Sequence, residues 1–98
     1  MNRIEEIRKA IDSIDTDLLK LLNDRARLAI ELGELKHDLG LAIYDPARER
    51  EIIEMMLDEN EGPLDDNAVV GLFQRIIDES RRVEKFSVSS KKITTENK

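Results

Sequence analysis

A permanently charged side chain interrupts the apolar repeat of the first long segment. In the stretch LLKLLNDRARL, residues 18–28, leucines recur at Leu18, Leu21 and Leu28, and the missing step between them is Arg25. A cation on an apolar helix face costs free energy unless an anion or a hydrogen-bond partner offsets it. Arg25 is therefore a candidate for binding an anion inside the protein.

Two further cations lie at the flank of the same face. Lys36 follows Leu35, eleven residues after Arg25, which places it about 20° around a helix and roughly 16 Å along it. Both side chains can therefore converge on one small anion. Arg8 follows Ile7, seventeen residues before Arg25 and about 25 Å away, so it can serve the same site only from another subunit.

Polar groups also occupy apolar-face positions in two later segments. Arg48 and Glu49 come one helical turn before an apolar pair. Ser80 and Glu84 continue an apolar stripe at steps of three and four. The set offers cations, acids and a hydroxyl, with neither a metal-binding cluster nor a nucleophile–base pair. The only histidine, His37, falls on the outer face of its helix. Such groups are suited to binding and electrostatic stabilisation.

Each of these positions also has an ordinary structural explanation. An Arg in a coiled-coil seam, such as Arg25, often sets helix register, and flanking cations such as Arg8 and Lys36 are more often surface ion-pairing residues. Glutamate in a first turn is favoured by the helix dipole, and a helical serine can bond its own backbone. Glu84 can also lie in solvent near a helix end. The coincidence across three segments favours a bound dianion, because buried unpaired charges are costly.

The first element that must position these residues is a long helix. Its apolar repeat predicts a helix from Arg3 to Leu39, about 55 Å long at 1.5 Å per residue. Asn2 with Glu5 resembles a capping pair, and Gly40 is a typical C-terminal stop. The repeat consists of Ile4, Ile7, Ile11, Ile14, Leu18, Leu21, Leu28, Leu32, Leu35 and Leu39.

Two shorter helices are predicted after it. Asp45 caps the second helix, with Pro46 at its first position, and the helix ends before the stretch NEGP. Asp65 caps the third helix. The sequence thus predicts one helical domain over residues 1–86 and a polar, disordered tail over residues 87–98.

The length of the first helix has a consequence for assembly. Two short helices cannot cover a helix of that length and bury its whole apolar face. The simplest partner for the uncovered part is a second copy of the same chain. We therefore expect an all-α fold with three helices per chain, assembled as an intertwined homodimer.

The composition of the chain argues against several classes of binding partner and location. The net charge of −6 argues against nucleic acid or an anionic membrane, since both attract basic surfaces. The chain has no cysteine, which excludes disulfides and thiol chemistry. The first residues contain no run typical of a signal peptide, and no stretch is long enough to cross a membrane, so we expect a cytoplasmic location.

The motifs together resemble a known family. The stretch IRKAIDSIDTDLLKLLNDRARLAIELGELK, followed by IYDPARERE and later by LFQRIIDES, is similar to the all-helical, AroQ-type chorismate mutases over residues 4–86. The shared pattern is an Arg early in the first helix, an Arg seventeen residues later, a Lys eleven residues after that, and then D-P-x-R-E.

The resemblance implies a homodimer with two active sites that bind the chorismate dianion without a cofactor. By this likeness, Arg25 and the partner chain's Arg8 pair with the two substrate carboxylates. Arg48 supports the anionic end of the substrate, and Ser80 touches a carboxylate. The implied reaction is the rearrangement of chorismate to prephenate in phenylalanine and tyrosine biosynthesis.

The resemblance also implies roles for the remaining polar groups. Lys36 reaches the ether oxygen and a carboxylate, and Glu84 falls at the second ether-oxygen ligand. Asp45 and Glu49 fall where the family binds the ring hydroxyl and its surroundings. Lys36, Glu84 and Arg25 are thus the expected catalytic residues.

Glu84 differs from the glutamine that bacterial relatives often carry there, although other members have glutamate. A glutamate donates a hydrogen bond only when protonated. Burial raises a carboxyl pKa whereas Lys36 and Arg25 lower it, and the sequence leaves this balance open. We expect activity to fall as pH rises through the Glu84 pKa.

Two other functions fit the same sequence. One is elimination of pyruvate from isochorismate on the same fold. The other is a non-catalytic helical dimer that serves as an interaction or regulatory module. The sequence also leaves open whether the domain works alone or fused to another aromatic-pathway enzyme.

Overall fold

Three helices account for nearly all of the described chain. The computed structural model describes the backbone of residues 2–96 and the side chains of residues 2–89. The helices are α1 (Arg3–Asp38), α2 (Pro46–Glu59) and α3 (Asp66–Glu96), and no strand occurs within residues 2–96. The all-α class with three helices is confirmed, but α3, with 31 residues, is nearly as long as α1, with 36, and is not one of two short helices as expected.

The ends of α1 follow from local hydrogen bonding. The Asn2 side chain accepts a hydrogen bond from the Glu5 backbone N–H at 2.9 Å. At the other end Leu39 is the C-cap, and Gly40 adopts φ +71°, a left-handed conformation that glycine takes without steric cost. Both predicted ends are thus confirmed, with the last helical residue one position earlier than expected.

Carboxylate caps begin the other two helices. The Asp45 side chain accepts from the Arg48 backbone N–H at 3.1 Å, and Pro46 opens α2. The Asp65 side chain accepts from the Ala68 backbone N–H at 2.8 Å, one residue before α3 begins. These side chains satisfy backbone donors that a helix start leaves unpaired, as predicted.

The end of α3 differs from the expected tail. Where disorder was predicted from residue 87, the helix continues through Glu96, and residues 97 and 98 lie outside the described part. Two physical features favour the longer helix. The Ser87 hydroxyl donates to the Glu34 carboxylate of α1 at 3.4 Å, and neither Gly nor Pro follows Gly71. The domain boundary at residue 86 stays a prediction.

The three helices do not pack equally on one another. α3 packs against both α1 and α2, whereas no Cα of α1 lies within 8 Å of a Cα of α2 in the described chain. The buried apolar residues among those described are Ala29, Val69 and Ile77, which are 4–8% exposed. α1 and α2 therefore form the opposite sides of a cleft with α3 between them.

The first half of α1 extends beyond this packed region. Every described residue from 2 to 21 is exposed, and the chain measures 61 × 30 × 15 Å. Among the described residues no helix is both long and apolar enough to span a membrane. The long apolar face of α1 thus has little cover within one chain.

Candidate active site

A cavity of about 280 Å³ lies where the three helices meet. All but one of the predicted site residues line it: Arg25, Lys36, Asp45, Arg48, Glu49, Ser80 and Glu84. Apolar side chains, among them Leu32, Ile52 and Ile77, complete the wall. The fold thus brings together polar groups that lie up to 59 positions apart in the sequence.

Arg25 projects from α1 toward α3. Its guanidinium donates a hydrogen bond to the Ser80 hydroxyl, and the side chain is half-buried at the cavity wall. No carboxylate forms an ion pair with Arg25 among the described residues. A cation paired with a neutral hydroxyl retains donors for an incoming anion.

Lys36 is fixed at the other end of the same face. Its Nζ donates to the backbone carbonyl of Ile43 at 3.1 Å, which ties α1 to the segment before α2. The same Nζ lies 3.9 Å from Glu84 Oε2, beyond hydrogen-bond distance. Because only 17% of its side chain is exposed, its charge acts in a medium that screens weakly.

Glu84 is the buried acid of the site. The residue is 7% exposed, and its Oε2 atom has no hydrogen-bond partner among the described residues. Burial raises the pKa of this carboxyl, and this effect exceeds the opposing effects of Lys36, Arg25 and Arg81, while Glu49 also raises it. The balance that the sequence left open is therefore decided by desolvation, which favours the protonated acid.

The start of α2 contributes three polar groups with different environments. The Asp45 carboxylate caps the helix and also lines the cavity. Arg48 is exposed and pairs with Glu51 on its own helix, whereas Glu49 is half-buried and pairs with Arg81 of α3 at 2.8 Å. Glu49 is thus held in place before any ligand arrives, and Arg48 is held only by a surface pair.

Arg81 is a cavity residue that the sequence argument missed. Its guanidinium bridges Glu49 of α2 and Asp78 of α3 at 2.8 and 3.0 Å, and it lies 4.9 Å from the centre of the Tyr44 ring. The spacing that pointed to Ser80 also fits Arg81, because Arg81 follows Ile77 by four residues and precedes Glu84 by three. The apolar stripe therefore contained this residue too.

Two of the residues singled out from the sequence lie outside the cavity. Arg8 is exposed on the first half of α1 and does not line it, as the distance along the helix predicted. His37 is exposed, as expected for the outer face. Among the side chains of residues 2–89 no group of three or more His, Cys, Asp or Glu could hold a metal ion.

The fold and the cavity together define a class of protein. It is an all-α protein whose three helices line a small cavity, with cations contributed by each helix and a buried acid beside them. The arrangement suits the binding of a compact anion and the placement of hydrogen-bond donors against it.

Comparison with known proteins identifies the family. The sequence profile of chorismate mutase type II matches residues 7–85. The chorismate mutase of Methanocaldococcus jannaschii is 36% identical over 86 residues, which cover 87% of each chain. This chain belongs to the chorismate mutase type II family, which confirms the resemblance seen in its motifs.

Longer, bifunctional proteins are also similar to this chain. A bifunctional chorismate mutase/prephenate dehydratase of Aquifex aeolicus is 42% identical over 89 residues, 87% of this chain but 25% of that protein. The chain therefore spans about a quarter of the length of such relatives.

The same fold occurs in experimental structures. Chorismate mutase from Thermus thermophilus (form II) superposes with a TM-score of 0.84 at 39% identity, covering 86% of this chain and 96% of that one. Chorismate mutase from Helicobacter pylori, solved in complex with prephenate, gives 0.81 at 26% identity over 88% and 93% of the chains.

Proposed function

We propose that this protein is a chorismate mutase that converts chorismate into prephenate. The observation that carries the proposal is the cavity itself, where Arg25, Lys36 and Ser80 meet a buried Glu84 with an unpaired oxygen. In the reaction an ether C–O bond breaks as a C–C bond forms within one molecule. The protein needs to hold the flexible dianion in its reactive conformer and to stabilise charge on the ether oxygen.

Arg25 and Ser80 bind a substrate carboxylate in this proposal. Their mutual hydrogen bond places both donors on one side of the cavity, and Arg25 has further N–H groups free for a two-point contact. Arg48 lies at the cavity edge and can leave its exposed partner Glu51, because a surface ion pair contributes little. It supports the anionic end of the substrate.

Lys36 and Glu84 act on the ether oxygen. Lys36 is anchored by a backbone carbonyl, and its ammonium group remains close to, but not bonded to, Glu84. Both can therefore donate to one oxygen atom placed between them, provided that Glu84 carries a proton. The raised pKa of the buried Glu84 carboxyl supports that protonation state.

Asp45 and Glu49 bind the ring hydroxyl and its surroundings. Both carboxylates line the cavity from the start of α2, and Glu49 is held toward it by Arg81. Carboxylate oxygens accept hydrogen bonds from a hydroxyl. These two acceptors lie on the α2 side of the cavity, whereas Arg25 and Lys36 line it from α1.

A homodimer completes the site, with Arg8 contributed by the partner chain. Arg8 is exposed and lies about 25 Å along the helix from Arg25. The same half of α1 exposes large apolar side chains in a continuous helical stripe, with exposed fractions of 44–64%. Such a stripe is typical of a protein interface. Its residues are Ile4, Ile7, Ile11, Ile14, Leu18 and Leu21.

The decisive experiment is turnover of chorismate by the purified protein between pH 5 and 8, with products separated by chromatography. Formation of prephenate is the expected result. Pyruvate and salicylate from isochorismate would instead identify a pyruvate-lyase. The absence of turnover on either substrate, with weak chorismate binding, would leave a non-catalytic helical dimer. The cytoplasmic location stays a prediction, and localisation of the tagged protein tests it.

A further inference from the structure

Gly33 of α1 makes an unusually close contact with Glu84 of α3. A Cβ atom built at Gly33 would lie 3.1 Å from the Glu84 Cβ, 3.2 Å from its Cγ and 3.3 Å from its Cα. Ordinary carbon–carbon contacts are about 3.5–4.0 Å. Because the Glu84 Cα and Cβ atoms move only with the backbone of α3, a methyl group at Gly33 fits only if α1 and α3 move apart by a few tenths of an ångström.

This contact lies beside the reactive part of the cavity. Gly33 and Ala29 are the buried residues of α1, and Lys36 follows Gly33 by less than one turn. The two small residues let α3 approach α1 closely, so that the Glu84 carboxyl group comes within 3.9 Å of the Lys36 ammonium. A larger residue at position 33 would separate these two groups without touching either of them.

We propose that Gly33 is a positioning residue, whose missing side chain sets the separation of α1 and α3 at which Glu84 and Lys36 meet one substrate atom. The inference rests on the proposed function. Glycine within a helix is unfavourable for stability, since it has the poorest helix propensity after proline. The site therefore keeps a residue that weakens α1 where close approach is needed.

The test is Gly33→Ala, with Gly71→Ala as the matched control. Gly71 is exposed within α3, and a Cβ built there has no neighbour within 4 Å. Both changes raise helix propensity, but only the first crowds Glu84. We expect kcat to fall about three- to tenfold in Gly33→Ala, because relieving the crowding displaces Glu84 by a few tenths of an ångström, and a displacement of about 1 Å can cost 10²-fold. The control keeps the wild-type kcat, and an unchanged kcat in Gly33→Ala would overturn the proposal.

A double-mutant cycle separates positioning from general damage. In the Glu84→Ala background the crowded Cα and Cβ atoms persist, but no carboxyl group is left to misplace. Gly33→Ala should then change kcat by less than about twofold, since its effect acts through that carboxyl. The same loss in both backgrounds would assign Gly33 to packing alone and refute the inference.

A second readout does not depend on turnover. The Glu84 carboxyl carbon is titrated by NMR in the wild type and in both glycine variants. The charged groups that face this carboxyl are Lys36, Arg25, Arg81 and Glu49. We expect Gly33→Ala alone to lower the titration midpoint, because a wider contact admits water to the carboxylate. If chorismate is not converted, the proposed function fails, whereas equal midpoints in all three proteins overturn the role of Gly33.

Discussion

At the scale of single residues, Glu84 is the side chain whose environment most affects the expected activity. Burial raises its carboxyl pKa above the ordinary value, and Oε2 has no hydrogen-bond partner in the described chain. In the proposed reaction the protonated acid donates to the ether oxygen, and the carboxylate cannot. The activity of the site should therefore depend on the protonation of this residue.

The first prediction concerns the pH dependence of activity. In the wild type kcat should decline as pH rises through the Glu84 pKa, because the donor is lost. Glu84→Gln should give a flat profile, since an amide donates at any pH. Steady-state turnover of both proteins from pH 5 to 8 checks this. A flat wild-type profile would contradict the donor role of Glu84.

The second prediction concerns stability and follows from the same shift. A raised pKa in the folded state means that folding takes up a proton at intermediate pH. The stability due to Glu84 is then fully present below the unfolded-state pKa and is lost as pH rises through the folded-state pKa. Urea unfolding at fixed protein concentration should show this decline in the wild type relative to Glu84→Gln. A constant difference in unfolding free energy across pH would refute it.

The third prediction concerns Lys36, which is mostly buried and anchored to Ile43. Lys36→Ala should lower kcat by about 10²–10³-fold or more, the usual cost of losing one preorganised donor. Lys85→Ala removes an exposed lysine of α3 and serves as the control, with kcat unchanged. Single-turnover kinetics would separate the chemical step from binding, and a loss confined to KM would exclude action on the ether oxygen.

At the scale of elements, Arg81 holds the start of α2 against α3. Since α2 has no close backbone contact with α1 among the described residues, the Arg81–Glu49 pair is important for keeping the cavity closed on that side. The contact of Arg81 with the Tyr44 ring extends this bridge to the segment before α2.

The fourth prediction tests this bridge. Arg81→Met should lower the free energy of unfolding by about 1–3 kcal/mol, because it leaves the half-buried Glu49 without its partner. Arg82→Met is the matched control, since Arg82 is exposed and pairs with Glu79 on its own helix. Its effect should stay within about 0.5 kcal/mol. Urea unfolding measures the free energy of unfolding of both variants. Equal losses in the two variants would show that the Arg81–Glu49 pair contributes no more to stability than a surface ion pair.

At the scale of the whole molecule, one chain leaves the first half of α1 uncovered. Ile4, Ile11 and Leu21 are all at least half exposed on the stripe that continues the cavity face. A partner chain along this stripe would bury apolar area and bring its Arg8 toward Arg25. A test of whether a second chain lies along this stripe is therefore also a test of whether its Arg8 completes the site.

The fifth prediction uses subunit complementation to answer it. Arg8→Ala and Arg25→Ala should each be nearly inactive alone. When the two are unfolded and refolded together in equal amounts, half of the dimers are mixed, and each mixed dimer has one intact site. For the proposed symmetric dimer, about a quarter of the wild-type activity should return, since half of the dimers have one of their two sites intact. No recovery, with mixed dimers shown by mass spectrometry, would place both arginines in the same chain's site. Full activity of Arg8→Ala alone would place Arg8 outside the site.

Much of this architecture was predictable because it depends on local rules. The caps at Asn2, Asp45 and Asp65 and the stop at Gly40 all act within a few residues of the chain. The helical period likewise places Arg25, Lys36, Ser80 and Glu84 on inward faces. Arg81 was missed although the same spacing includes it, because its contacts with Glu49 and Tyr44 join it to distant parts of the chain.

The sequence by itself determined the three helices, their starts, the ends of α1 and α2, the polar positions on their inner faces and the family resemblance, because periodicity and capping are short-range properties; it did not determine the end of α3. Only the tertiary structure decided that burial outweighs the neighbouring cations at Glu84, and that Gly33 lies against it. Both facts depend on how closely α1 and α3 approach. That distance is set by packing between residues some fifty positions apart, which no local pattern encodes.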